Sequence, residues 1–251
     1  IACLLRAMPR GGNRIALLYM VNPVSWLLAV YHGQLHTVAL AGTVLALWLV
    51  ERRRWGMGGI ALGLAASVRQ HYAVLLLPIM RRLGRQRVTF LLAFVGIVAC
   101  VNGPLLRSAS LERLFTPTWT YGLWGYTLLF LHGPRVLALC GFKNLAALLS
   151  PLNHVLQMYG SLIYLLWAMV FVVWDWRRPA TDLWRSTLVF LLGLYAVSPG
   201  FGVQWLVWAV PIWLIVHPQG AIWYSVLAGL FVAGSYWQWG LTATYGVGSL
   251  P

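Results

Sequence analysis

The stretch M-G-G-I-A-L-G-L-A-A-S-V-R-Q-H-Y-A-V-L-L-L-P-I-M, Met57 to Met80, is apolar except where Ser67-Val68-Arg69-Gln70-His71 interrupts it. E-R-R-R, Glu51 to Arg54, precedes it, and R-R-L-G-R-Q-R, Arg81 to Arg87, follows it. A run of this length can cross ~30 Å of hydrocarbon as a single helix. Short basic loops, however, gather on one side of a membrane. If both basic loops share a side, the run must go in and come back. It then reads as two short helices, 57–68 and 71–80, turning at Val68-Arg69-Gln70. Each arm is only about 15–18 Å long at 1.5 Å per residue. Neither arm spans alone, so the tip would sit at membrane depth, packed in protein or lining a wet cavity. The alternative is one simple crossing at which the charge bias fails.

The rest of the chain supports a membrane setting. Of its 251 residues, 61% are hydrophobic and 9% charged, where soluble domains run near a quarter charged. Further apolar runs lie at 15–31, broken by Asn22-Pro23, and at 35–50, 88–106, 155–174, 184–197, 204–216 and 221–239. These predict an all-α, polytopic transmembrane bundle: one domain over 1–251 with about eight or nine membrane helices, the 57–80 hairpin among them. Placing Arg6, Arg10, Arg14 and the loops 51–54, 81–87 and 177–185 inside puts thirteen arginines there. Arg69, Arg107, Arg113, Arg135 and Lys143 remain outside. The segment 107–154 becomes an outer loop or interfacial element. Its Trp- and Tyr-rich part, Thr116 to Tyr126, suits an interfacial belt or stacking on a sugar.

The net charge of +14 belongs to these loops. A nucleic-acid surface needs basic residues on a solvated face with polar or aromatic interleaving, and no nucleic-acid partner is expected. Cys3, Cys100 and Cys140 form no redox or zinc motif. The chain begins at Ile1 rather than Met, and it reads as an N-terminally truncated fragment.

Acid–base chemistry usually needs carboxylates, and there are four: Glu51, Glu112, Asp175 and Asp182. Glu51, Asp175 and Asp182 stand among inner arginines and read as their charge partners. Glu112, beside Arg113, reads as a solvated or paired surface residue. The outer side instead collects neutral polar groups and one cation. In A-V-Y-H-G-Q-L-H-T, Ala29 to Thr37, His32 and His36 share a helix face at a spacing of four. No glutamate or third ligand accompanies them, and no metal site is assigned. His32 and Gln34 either end a span at water or reach a ligand. Arg69 and Gln70 either cap a turn or bind an anion; a guanidinium suits a phosphate through bidentate hydrogen bonds. In S-P-G-F-G-V-Q-W-L-V-W-A-V-P, Ser198 to Pro211, Pro199-Gly200 ends a helix, and Gln204 and Trp208 share a face of the next.

These blocks, N-P-V-S-W at 22–26 with Y-H-G-Q-L-H-T, the Gly-rich run 58–71 and Ser198 to Pro211, occur in an order that resembles the membrane glycosyltransferases of GT-C type. The closest resemblance is to the glycosyltransferase 87 group and the polyprenyl-phosphate-mannose-dependent mannosyltransferases near it. Arg69 stands where that group usually has a lysine. The resemblance implies a GT-C-like helical bundle in a prokaryotic plasma membrane, with its active site facing outside. It implies transfer of mannose or another hexose or pentose from a polyprenyl-phosphate donor to a lipid or glycan acceptor, usually with inversion. It implies donor contacts from His32, Gln34, His36, Arg69, Gln70, Gln204 and Trp208. It also implies an acidic catalytic residue upstream of Ile1, so the base is unknown here. No cofactor is certain; some GT-C enzymes use a divalent metal. Membrane lipids are the remaining partners. A transporter or flippase, or a non-catalytic membrane subunit, is the competing reading; the first usually needs coupling charges within its spans, of which only Arg69 is present.

Overall fold

The computed structural model describes residues 1–31, 36–106, 127–178, 182–198, 200 and 202–245. Among the described residues the fold is all-α, with no strand. The helices are α1 (Ala2–Ala7), α2 (Asn13–Met20), α3 (Pro23–Trp26), α4 (His36–Glu51), α5 (Trp55–Val68), α6 (Leu76–Met80), α7 (Arg87–Leu106), α8 (Thr127–Leu139), α9 (Lys143–Met158), α10 (Gly160–Arg177), α11 (Leu183–Val197), α12 (Leu206–Val216) and α13 (Pro218–Tyr245). A π-helical turn occupies Leu27–Tyr31, and 3-10 turns occupy Gln70–Leu75, Gly84–Gln86 and Val203–Trp205. His32, Gln34 and all of Arg107 to Tyr126, the first part of the segment 107–154, lie outside the described residues.

By length and composition, Gly84–Pro104 is the one described helix able to cross a membrane. The other apolar helices, α4, α5, α11 and α12 among them, are shorter. The reason lies in the sequence: Asn22-Pro23, Arg69 and the Ser198–Gly202 segment each interrupt an apolar run. Asn22 caps α3, its Oδ1 accepting from the Ser25 amide at 3.1 Å, with Pro23 at the first helical position. Its Nδ2 donates to Ser225 Oγ of α13 at 2.5 Å. The Asn-Pro pair is thus a clasp between the start and the end of the chain.

One end of the bundle is ionic. Arg10 pairs with Glu51 at 3.5 Å and also with Asp182. Trp184 Nε1 donates to Glu51 at 3.1 Å, and Asp182 caps α11 by accepting from the Trp184 amide at 3.2 Å. Arg81 meets the buried Asp175 at 3.0 Å, and Ser186 donates to the same carboxylate at 2.9 Å. Burial pushes the neighbouring Arg82 guanidinium below its ordinary value, with Asp175 acting against that shift. Glu51, Asp175 and Asp182 are therefore arginine partners.

This cluster fixes the course of residues 55–80. Glu51, just before α5, and Arg81, just after α6, both meet residues at the start of α11 or its partner Asp175. The chain leaves this end along α5, about 21 Å for a helix of this length, and returns through 70–80. The turn is at Arg69, whose extended backbone (φ −147°, ψ 103°) ends α5. Just before it, Ser67 Oγ donates back to the Gly63 carbonyl at 2.8 Å, which loosens a helix locally. Asn102 of α7 donates to the same hydroxyl at 3.1 Å.

Glycines let α5 lie between α4 and α7. A Cβ added at Gly59 would sit 2.4 Å from the Phe90 carbonyl oxygen, and one at Gly63 2.9 Å from that of Phe94. On the α4 side, Gly42 lies within 3.2 Å of α5 by the same measure. These contacts make α5 antiparallel to α4 and parallel to α7. The Gly59→Ala variant is expected to lose about 1–3 kcal/mol through backbone displacement. Its melting temperature in detergent should fall clearly below that of Gly56→Ala, whose added carbon meets nothing closer than 3.8 Å. Equal melting temperatures would show that α5 and α7 are not packed this closely.

Candidate functional site

At the end of α5 away from the ion pairs, three distant parts of the chain meet. The first is His36, buried at the start of α4. The second is the turn Arg69–Tyr72, and the third is the Val203–Trp208 segment entering α12. Tyr72 Oη donates to the His36 carbonyl at 3.4 Å. The Tyr72 ring lies 4.6 Å from that of Trp208, and His36 lies 6.4 Å from the same indole. Trp205 and Trp208 stack at 5.0 Å with 17° between planes. His71 meets Trp205 edge-on at 5.3 Å and Trp208 at 6.1 Å. Such contacts are worth about 0.5–1.5 kcal/mol each beyond burial, so the turn is pinned by rings.

Tight turns rather than a continuous helix position these groups. Residues 70–75 form a 3-10 run in which Gln70 is exposed while Tyr72 points into the core. Residues 203–205 form another, leading into α12, with Gln204 half-buried in it. The Gln204 amide lies over Gly202, where an added Cβ would meet it at 2.3 Å. Tyr195 Oη ties this segment to α11 by donating to the Trp205 carbonyl at 2.5 Å. Ser198, which is fully buried, holds the preceding corner through Tyr164 of α10 at 2.5 Å.

Of the residues singled out from the sequence, His36, Arg69 and Trp208 belong to this cluster. Gln70 flanks it at the surface, Gln204 stands in the 3-10 turn between Gly202 and Trp205, and His32 and Gln34 lie outside the described residues. His71, Tyr72 and Trp205 complete it. The signal for His71 and Trp205 was available: each stands within three residues of Arg69 or Trp208, at an interruption of an apolar run.

Arg69 is half-buried and close enough to interact electrostatically with His71 and Tyr72. Among the described residues no carboxylate pairs with it. The Trp208 indole, 1% exposed, has a buried N–H with no acceptor among the described residues. A cation and an N–H donor left without partners among the described residues suit an electron-rich ligand. Among the described residues no group of three His, Cys, Asp or Glu could hold a metal ion.

A helical frame that closes arginine–carboxylate pairs at one end and sets Arg69, unpaired among the described residues, beside rings at the other is found here in a glycosyltransferase. The chain belongs to glycosyltransferase family 87, whose model matches residues 1–199. No curated protein and no solved structure matches it. The matched span contains His36 and the Arg69 turn; Trp205 and Trp208 lie just beyond it.

Proposed function

We propose that this glycosyltransferase spans a prokaryotic plasma membrane several times. It takes a sugar, mannose or another hexose or pentose, from a polyprenyl-phosphate donor and passes it to a lipid or glycan acceptor on the outer face. The observation that carries the reading is Arg69: a guanidinium with no carboxylate partner among the described residues, held at the tip of a hairpin whose base is the arginine-rich end. An ionisable residue at membrane depth is costly and marks a functional site by default. The membrane setting draws support from the exposed apolar side chains of α7, α10 and α13, including Leu92, Leu166 and Leu227.

In the reaction the acceptor hydroxyl oxygen bonds to the anomeric carbon while the bond from that carbon to the phosphate oxygen breaks. The electron pair stays on the phosphate. Arg69 meets the charge that grows there, a role that lowers the barrier because the donor is already in place. His36 and Gln70, together with His32 and Gln34, would contact the sugar or the phosphate. The hydroxyl proton goes to a base; Glu51, Asp175 and Asp182 are held at the opposite end and cannot reach it. Gln204 and Trp208 would close the cavity from the α12 side.

Trp208→Phe keeps a ring against Tyr72 and removes the N–H. It is expected to raise the donor KM by about 10- to 150-fold, the range for one hydrogen bond to a charged group. Transfer of labelled sugar from a polyprenyl-phosphate donor in proteoliposomes measures this. An unchanged KM would remove the indole from the donor site.

A further inference from the structure

The helices α8 and α9 form a pair that packs on itself and meets the bundle little beyond the point where α9 runs into α10. That point is at the site end, because α10 runs from Gly160 to the ionic end at Asp175. Along α9, Leu145, Leu148, Leu152 and Val155 are 44%, 67%, 38% and 42% exposed. Their spacing of three, four and three puts them on one helical stripe. The stripe continues at the α8–α9 corner, where Leu139 is 88% and Phe142 61% exposed. Beyond Tyr159 it runs into the exposed apolar side of α10, with Leu162, Leu166 and Val170. A soluble surface does not carry a contiguous apolar band of this extent.

We infer that α9 lies in the lipid–water interface at the end of the bundle that holds the Arg69 turn, its Leu145–Val155 stripe sunk among the acyl chains. The inference rests on the proposal that α10 faces lipid. The occupant is a lipid surface because the band is continuous with that face of α10 and has the exposed helical stripe of an in-plane helix. Lys143 and Asn144, exposed at the start of α9, remain with the headgroups. A helix so placed would shape the approach of a lipid-linked substrate to Arg69.

The test uses the full chain in liposomes, with the exposed Cys3, Cys100 and Cys140 replaced by serine. An environment-sensitive fluorophore is attached in turn to Leu148→Cys, Asn144→Cys and Val170→Cys. The expected result is that position 148 is quenched by a doxyl lipid and several-fold less by aqueous iodide than position 144. Position 170, on α10, reports the bilayer itself. If 170 is lipid-quenched while 148 is quenched by iodide like 144, the interfacial helix is overturned and the membrane reading stands. If 148 is reached by neither quencher, the stripe is covered by protein and the inference is again overturned. If 170 is iodide-accessible, both fall together.

Discussion

Replacing Arg69 with leucine should cut sugar transfer by about 100- to 1,000-fold, the cost of removing one preorganised charge-stabilising donor, about 2.7–4 kcal/mol. The protein should still be inserted and folded. Arg69 makes no ion pair among the described residues, and the hairpin is held by Tyr72 against Trp208 and by Asn102 on Ser67. Leucine can occupy an extended, half-buried position without stranding a partner. The informative companion is Arg69→Lys. A lysine keeps the charge as a point and loses the bidentate fork, so its activity should fall between wild type and Arg69→Leu. The measurement is transfer rate per folded molecule, with folding read from monodisperse elution in detergent. Wild-type rates in Arg69→Leu would dismiss the phosphate role.

The second large effect lies at the other end. Asp175 is 1% exposed and takes both Arg81 and the Ser186 hydroxyl. Removing one member of a buried pair leaves the other charge uncompensated, at about 3–5 kcal/mol. Asp175→Ala should therefore lower the yield of folded protein severely. The double variant Asp175→Leu with Arg81→Met, which removes both charges, should recover much of that loss, because apolar replacement of a whole buried pair is often neutral. Melting curves of the single and double variants decide it; additive losses would show that the two residues do not act as a pair.

Much of this arrangement was legible from charge alone. The helical class follows from the apolar runs. The fate of Glu51, Asp175 and Asp182 follows from their place among arginines, because carboxylates in basic loops have nowhere better to go. The break at Arg69 was visible as a polar interruption. Other features depended on long-range packing. The 3-10 turn at Val203–Trp205, which carries Gln204 into α12, is one of them. Tyr72 looked like one more apolar residue of the return arm; its partners His36 and Trp208 are brought to it by tertiary contacts that no local spacing encodes. The clasp from Asn22 to Ser225 spans 203 residues and had no signature beyond the helix-capping Asn-Pro itself.

The lock between Arg81 and Asp175 joins residues 94 apart, which sets an order of events on the ribosome. At about 5–20 residues per second, roughly 5–20 s pass after Arg81 is made before its carboxylate exists. Until then the returning arm has its ring contacts to Trp208 missing as well, since that residue comes later still. The hairpin must wait half-built, and its ion pair and ring contacts close only when the last third of the chain arrives.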